Sequence, residues 1–191
     1  MNELVRHQEI CRQFAALLSY PDDCVAQRAA ACAGQLKEVN AEACDFVGRF
    51  SDFLGASDAS RIEEAFTGTF DLQALCHPYV GYQLCGESQQ RTMFMLKLAE
   101  LYRQHAFTSG NELPDHLSEV LRFVGSISDQ DCRLEIIRDG LLPALEKMTL
   151  GIETENYPYL DLIKALQSFL TETATPDSGR LAAGLQKECL S

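Results

Sequence analysis

The stretch SGNELPDHLSEVLRF, residues 109–123, passes from polar loop residues into a helical pattern. Apolar residues after His116 recur at steps of three and four, the spacing that places side chains on one face of an α-helix. Pro114 fits the first position of this helix, because its missing N–H would have no partner there. Asp115 then lies in the first turn, where the helix dipole favours a negative charge and keeps the adjacent His116 neutral. The stretch therefore predicts a loop followed by an amphipathic helix.

The same spacing extends over nearly the whole chain, in segments separated by turns that contain proline, glycine or aspartate. No stretch alternates convincingly as a β-strand does, and the sequence has no internal repeat and no low-complexity tract. We therefore predict an all-α fold, a single-domain bundle of seven to nine helices over residues 1–191. Its core is expected at about residues 5–172. Residues 173–191 are expected to form the linker TATPDSG and a short terminal helix, RLAAGLQKECL.

Polar residues at the segment boundaries predict where the helices begin. Asp22 or Asp23 is a candidate N-cap, as are Asn40 and Ser88, because their side chains can accept a hydrogen bond from the first turn. A further helix is expected to begin at a capping box formed by Ser60 and Glu63. A long helix is expected over about residues 88–107. Glycine at position 140 and proline at position 143 are expected to break or kink a later helix.

The composition restricts the classes of partner. The formal net charge is −12 and 46% of the residues are hydrophobic, which describes an acidic globular chain. Binding to nucleic acid or to an anionic membrane surface needs a basic protein surface, so neither partner is expected. The acidity instead favours a basic peptide or a basic patch on a protein, or serves only to keep the protein in solution.

The sequence also predicts a cytoplasmic protein without direct membrane insertion. No apolar run reaches the ~20 residues of a membrane-spanning helix, and the N-terminus MNELVRHQEI lacks the basic start and apolar core of a signal peptide. In that compartment the eight cysteines are expected to be thiols, most of them small hydrophobic residues of helices.

The segment CHPYVGYQLC contains the strongest candidate for a metal site. Cys76, His77 and Cys85 are soft ligands, but a structural zinc site usually has four ligands and no fourth is apparent nearby. The motifs of a nucleophile elbow and of a phosphate-binding loop do not occur. We therefore predict no catalytic residue, no bound metal and no cofactor. An enzyme that uses these three residues with a metal is the competing hypothesis.

The segment GESQQR places a cation where the helix dipole disfavours it. Gly86 suits a turn and Ser88 suits an N-cap, which puts Arg91 in the first turn of the long helix. A cation in this position suggests an ion pair, with Asp71 or Glu87 as its partner. The alternative is an arginine that faces solvent.

Three motifs in this order, EEAFTGTFD, GESQQR and ELPDHLSEVLRF, resemble those of the NarJ/TorD/DmsD family of cytoplasmic chaperones for molybdenum-containing reductases. The likeness is greatest to the branch that serves respiratory nitrate reductase, and it covers about residues 5–172. It implies an all-helical, TorD-like fold without bound metal or catalytic activity.

The resemblance also implies a function. Family members bind the N-terminal segment of an apo molybdoenzyme catalytic subunit and support molybdenum cofactor insertion before the complex assembles. The implied partners are this subunit, of the nitrate reductase type, and cofactor-insertion proteins. Two alternatives are a chaperone for another molybdenum reductase (of the dimethyl sulfoxide, selenate or perchlorate type) and a structural subunit of a reductase complex.

The predicted site consists of residues that match the motifs and of their neighbours. The matching residues are Glu112, Pro114, Asp115, His116, Phe70, Asp71, Gly86, Glu87, Ser88 and Arg91. We expect an amphipathic client helix to lie in a groove between helices, with residues 75–86 and the loop before the proline at one end. Negative charge at the rim is expected from Glu112, Asp115 and Glu87, and apolar contact from Tyr79, Tyr82 and Leu113.

Overall fold

Helices account for nearly all regular structure in the computed structural model, which describes residues 3–71, 76–151 and 157–175. The helices are α1 (Glu3–Leu17), α2 (Val25–Leu36), α3 (Ala41–Ala56), α4 (Ala59–Phe70), α5 (Val80–Cys85), α6 (Gln89–Gln104), α7 (Leu117–Val124), α8 (Gln130–Glu135), α9 (Leu142–Gly151) and α10 (Pro158–Ala174). A π-helical segment, Ile136–Leu141, joins α8 to α9. The prediction of an all-α fold is confirmed. When the continuous run 130–151 is counted once, the described residues form nine helices, within the predicted range.

Two of the predicted N-caps are confirmed. The Asn40 side chain accepts a hydrogen bond from the N–H of Ala43 at 2.7 Å at the start of α3. At the start of α6 the Ser88 hydroxyl accepts from the N–H of Arg91 at 3.3 Å. Each bond satisfies one of the N–H groups that the first turn of a helix leaves unpaired.

Two other predicted helix starts need correction. The cap of α4 is Asp58, whose carboxylate accepts from the N–H of Arg61 at 2.9 Å, and not Ser60, which lies inside the helix. Asp22 accepts from the N–H of Cys24 at 2.9 Å and so shapes the turn before α2, but it does not cap that helix. α4 begins at Ala59, before Ser60, so the residue that precedes the helix and caps it is Asp58.

The core forms around α10, which packs against α3, α4 and α9. Its Tyr159 is fully buried, with its ring centroid 5.1 Å from that of Phe50, 5.6 Å from that of Phe66 and 5.3 Å from that of Phe70. These edge-on geometries are the favourable ones for aromatic rings. Burial of each such side chain contributes about 1.5–3 kcal/mol, so the cluster fixes the end of α4 firmly.

The interruption predicted around Gly140 takes the form of a wider helical turn. The N–H of Leu142 bonds to the carbonyl of Ile137, five residues back, which is π-helical geometry. Pro143 follows directly and has no N–H to donate. The helix therefore continues through the π segment instead of breaking.

The C-terminal prediction is only partly covered by the described residues. α10 extends to Ala174, so the first residues of the predicted linker are helical. Thr175 is the C-cap of α10. The remaining linker residues and the predicted short terminal helix, 176–191, lie outside the described residues, as does Leu75 of the predicted groove. Within the described ranges, no helix combines the length and the apolar character needed to cross a membrane.

Candidate functional site

The segment before α5 and the segment before α7 are joined through their backbones. The N–H of Val80 donates to the carbonyl of Asp115 at 2.7 Å, and the N–H of Leu117 donates to the carbonyl of Pro78 at 2.8 Å. The pair of bonds forms a single antiparallel bridge, in which Tyr79 faces His116. Two segments that are distant in sequence, one of them in the motif ELPDHLSEVLRF, thus meet at one place.

This bridge changes where α7 begins. The helix starts at Leu117, and His116 is its N-cap, with the ring Nδ1 accepting from the N–H of Ser118 at 3.2 Å. Pro114 and Asp115 form the preceding turn, so the prediction that they occupy the first helical turn is wrong. Their backbone groups are used elsewhere: the Pro114 carbonyl accepts from the Tyr102 hydroxyl at 2.8 Å, and the Asp115 carbonyl accepts in the bridge.

His116 is a neutral, buried acceptor. Burial lowers its pKa, even though the carboxylates of Glu112 and Glu119 act in the opposite direction. An Nδ1 that accepts from a backbone N–H carries no proton, which places the ring proton on Nε2. The structure therefore agrees with the expectation of a neutral ring that makes local hydrogen bonds.

A buried ion pair lies beneath the bridge. The Nε of Arg91 donates to Oδ2 of Asp115 at 2.8 Å, and its Nη2 lies 3.4 Å from Oδ1. The side chain of Asp115 is fully buried and that of Arg91 is 9% exposed. The guanidinium also donates from Nη1 to Glu87, whose side chain is 74% exposed. One cation therefore links an inner carboxylate to an outer one.

Aromatic rings complete the surroundings of this cation. The guanidinium carbon of Arg91 lies 4.9 Å from the ring centroid of Tyr79 and 5.9 Å from that of Tyr82, within the range of a cation–π contact. The hydrogen bond to Asp115 raises the pKa of Arg91. Burial raises the pKa of Tyr79, and the nearby charge of Glu112 adds to that rise. Both groups therefore keep their ordinary charge state around neutral pH.

Gly81 is required by the close approach of α5 to this pair. A Cβ at this position would lie 2.8 Å from Oδ2 of Asp115 and 2.9 Å from Cδ1 of Phe94. Neither group is free to move away, because the first is ion-paired and the second packs against the core. At the end of α5, Gly86 has φ +64°, a left-handed conformation that favours glycine.

The comparison with known proteins identifies the family. The sequence model described as "Nitrate reductase delta subunit" matches residues 36–176. The chain belongs to this family. It is 26% identical over 170 residues to the nitrate reductase-like protein NarX of Mycobacterium tuberculosis, a match that covers 88% of this chain and 22% of that protein. The chain thus spans about a fifth of the length of NarX.

A second relative and one solved structure are similar over most of their lengths. A Bacillus subtilis protein that carries the name of a nitrate reductase molybdenum cofactor assembly chaperone, NarJ, is 24% identical over 166 residues, which are 86% of this chain and 89% of that protein. A structure from Archaeoglobus fulgidus, named for redox enzyme maturation, matches with a TM-score of 0.59 at 20% identity, over 90% of this chain and 96% of the other. At this identity the structural match supports the fold alone.

The residues of the predicted site contribute both surface and support. Glu87, Glu112 and Leu113 are exposed, and Tyr79 and Tyr82 are half-buried. Phe70, in contrast, packs in the core against Tyr159 and does not reach the surface. Asp71 is exposed just beyond α4, where its charge helps raise the pKa of Tyr79.

The expected acidic rim therefore needs one correction. Asp115 has no exposed surface, so it supplies no charge at a rim and holds Arg91 from below instead. The carboxylates that do face solvent are Glu87 and Glu112. The sequence named Glu87 correctly as a partner of Arg91, whereas within the described ranges Arg91 pairs with Glu87 and Asp115 and not with Asp71, the other candidate. The inner partner, Asp115, was missed.

The sequence also missed Glu119, which fixes the loop before α7. Its carboxylate is buried and accepts from the N–H of Gly110 at 2.9 Å and from Nη1 of Arg122 at 2.8 Å. The available signal was the i, i+3 spacing of a glutamate and an arginine on one helix. This loop carries Glu112 and Leu113, so Glu119 sets where both lie.

The three residues considered for a metal do not converge. Cys76 is buried, and burial raises the pKa of its thiol to about 12. His77 and Cys85 are exposed, and the His77 ring packs 4.2 Å from that of Tyr82. Among the residues that the structure describes, no group of three histidine, cysteine or acidic side chains could hold a metal ion.

Proposed function

We propose that this delta subunit family member is a non-enzymatic assembly chaperone of the cytoplasm. It binds the N-terminal segment of the apo catalytic subunit of a molybdenum reductase, of the respiratory nitrate reductase type, and holds it during insertion of the molybdenum cofactor. The observation that carries the proposal is the family match over residues 36–176, which contains all three motifs of the site. The name of the Bacillus subtilis relative supports the same function.

The chemistry of the surface suits a basic, amphipathic client segment. Glu87 and Glu112 are exposed acids, Tyr79 and Tyr82 are half-buried, and Leu113, next to Glu112 in the chain, is 47% exposed. An apolar client face would cover Leu113 and the tyrosines, while basic client residues approach the two carboxylates. With a net charge of −12, the protein would also accelerate the encounter with a basic segment.

The buried groups hold this surface in shape. Arg91 joins the start of α6 to the turn before α7, and the backbone bridge joins that turn to α5. A preorganised surface loses less entropy on binding, which helps offset the cost of folding the client segment. We propose that Asp115 and His116 act in this indirect way, since both are buried.

Reversal of the exposed acids tests the binding site without disturbing the buried pair. We expect Glu87→Lys with Glu112→Lys to weaken binding of a synthetic peptide of the client's N-terminal segment by at least about tenfold in titration calorimetry. The matched control reverses two exposed acids on α3 and α8, Asp52→Lys with Glu135→Lys, so that the net charge changes equally. Equal weakening in both variants would show that binding depends only on the net charge of the protein. Unchanged binding in the first variant would show that Glu87 and Glu112 do not take part in binding.

The cofactor step needs a separate measurement. In cells that lack this protein, we expect the nitrate reductase catalytic subunit to accumulate with little molybdenum, measured by elemental analysis of the purified subunit. Normal molybdenum content would refute the chaperone function.

The family is described as a subunit of the reductase, and that structural role predicts a one-to-one presence of this chain in the purified active complex. A chaperone is absent from that complex.

A further inference from the structure

A second arginine is buried without the partners that Arg91 has. Arg133 is 4% exposed and is the only buried residue of α8. Its Nε and Nη1 are both buried, and neither has a hydrogen-bond partner among the described residues. Buried polar atoms are nearly always hydrogen-bonded, and a buried charge is normally paired. Arg133 therefore lacks the acceptor that its position requires.

The titratable groups nearest to this guanidinium supply no negative charge. His7 and Cys11, both on α1, lie within electrostatic reach of Arg133. Burial raises the pKa of the Cys11 thiol to about 12, so the thiol keeps its proton. Burial lowers the pKa of His7, and the charge of Arg133 acts in the same direction, so the ring is neutral around neutral pH. Both neighbours thus offer further hydrogen-bond donors and no counter-charge.

Burial without a carboxylate also sets this residue apart from the other buried arginine. The guanidinium of Arg91 has a buried carboxylate, an exposed carboxylate and two aromatic rings around it. For Arg133, burial lowers the pKa, and among the described residues no carboxylate acts against that effect. An arginine nevertheless stays protonated in proteins. The positive charge therefore remains at this position and is not compensated by the chain.

We propose that Arg133 binds a small carboxylate anion between α8 and α1. A planar carboxylate matches the guanidinium fork with two parallel hydrogen bonds, and its single charge neutralises the single buried cation. A dianion such as phosphate would carry a second charge that nothing there offsets, because the nearby cations, Arg6 and Arg12, already form ion pairs. The neutral His7 ring can donate one further hydrogen bond to the same anion.

Burial also limits the size of the ligand. Because Arg133 is almost completely covered, the backbone of an acidic protein segment cannot approach its guanidinium. The ligand is therefore a free anion of the size of formate or acetate. Since Arg133 is the buried residue of α8, the anion would take part in the attachment of this helix to α1. The proposal goes beyond the chaperone function and does not depend on it.

Thermal unfolding of the full chain in sodium formate tests the site, with sodium chloride at the same ionic strength as the reference. At a formate concentration about tenfold above the dissociation constant, we expect the melting temperature to rise by about 3–6 °C over the reference. Arg133→Met removes the cation and keeps an apolar side chain, so formate should produce no such rise. Arg61→Met, which replaces an exposed arginine of α4, is the matched control and should respond as the wild type does.

The same variants separate a bound anion from a bound water molecule, which can accept a hydrogen bond but does not neutralise the charge. In chloride, Arg133→Met should melt at a higher temperature than the wild type, because it removes a buried charge that has no partner. Formate should narrow or reverse that difference. Arg133→Lys keeps the charge but not the planar fork, so its response to formate should be weaker than that of the wild type.

Three results would overturn the proposal. The first is an equal response of the wild type and Arg133→Met to formate, which would be a general effect of the salt and would leave water as the partner of Arg133. The second is the absence of any rise over the chloride reference. The third is a larger rise in phosphate than in formate, which would assign the site to a dianion. If Arg133→Met does not fold, the NMR signal of the Arg133 Nε–H in the wild type decides, because it should shift with formate and stay unchanged in chloride.

Discussion

Removal of the Asp115 carboxylate is expected to be one of the most costly single changes near the site. In Asp115→Ala, Arg91 keeps its buried position but loses the inner partner that accepts from its Nε at 2.8 Å. Loss of one member of a buried ion pair typically costs 3–5 kcal/mol, because the remaining charge is left without compensation. Glu87 still accepts from the same guanidinium. We therefore expect the lower end of that range, about 3 kcal/mol.

The outer partner should matter far less. The Glu87 side chain is 74% exposed, so water replaces much of what Glu87→Gln removes. Exposed ion pairs contribute about 0–1 kcal/mol, and we expect about 0.5 kcal/mol here. Two carboxylates that contact the same arginine thus differ severalfold in their contribution to the free energy of unfolding, because one is buried and the other is exposed.

Urea denaturation followed by circular dichroism measures both effects. Proteins of ordinary stability have a free energy of unfolding of about 5–15 kcal/mol. A loss of about 3 kcal/mol therefore leaves a folded variant whose urea midpoint is clearly lower. Replacement of both partners by apolar residues, Arg91→Met with Asp115→Leu, should cost less than Asp115→Ala alone, since no unpaired charge remains. A loss below about 1 kcal/mol in Asp115→Ala, or a double variant that is worse than the single one, would refute the reasoning.

Three other changes give expected results. Gly81→Ala should destabilise the protein by about 2 kcal/mol, because its methyl group would overlap an ion-paired carboxylate and a packed ring. Gly48→Ala in α3, where an added Cβ would meet no atom within 4 Å, should instead stabilise the protein by about 0.5–1 kcal/mol. Equal urea midpoints for the two variants would contradict the steric argument. Ala106→Gly should raise the unfolding free energy by about 1 kcal/mol, because Ala106 has φ 51°, a conformation that costs an L-residue energy and glycine almost none; a lower melting temperature would count against this. Acidification below the ordinary pKa of 6.5 should destabilise the protein, because burial lowers the pKa of His116 and the unfolded chain then binds a proton that the folded chain does not. One histidine changes the free energy of unfolding by at most about 1.4 kcal/mol per pH unit. His116→Asn, which keeps a capping acceptor, should reduce this pH dependence. An unchanged pH dependence between pH 5 and 6.5 would assign the effect to other groups such as His7, whose pKa is also lowered by burial.

Local signals in the sequence were sufficient for most of the fold. The apolar residues that follow His116 predicted one buried helix face, and Leu117, Val120, Leu121 and Val124 are all buried. The caps at Asn40 and Ser88 were predictable because a capping side chain and the N–H that donates to it lie within one turn of the same helix. These features depend on spacing over a few residues, which the sequence shows directly.

Features that depend on tertiary contacts were not predictable in the same way. Arg91 and Asp115 are 24 residues apart in sequence, and only the backbone bridge between two loops brings them together. The same bridge moves the start of α7 beyond Pro114. The end of α6 was missed for another reason: the left-handed position after it, usually glycine, is Ala106, so the expected helix ran on to residue 107.

The buried pair also constrains how such sequences can diverge. If either Arg91 or Asp115 is replaced alone, the other charge remains in a site from which water is excluded, and the protein loses a large part of its stability. A protein can lose both charges without passing through an unstable single variant only if the two changes arise together. Otherwise, other substitutions must first have raised its stability enough to offset the first change. In an alignment of relatives, the two positions should therefore covary, and sequences with one charge but not the other should be rare.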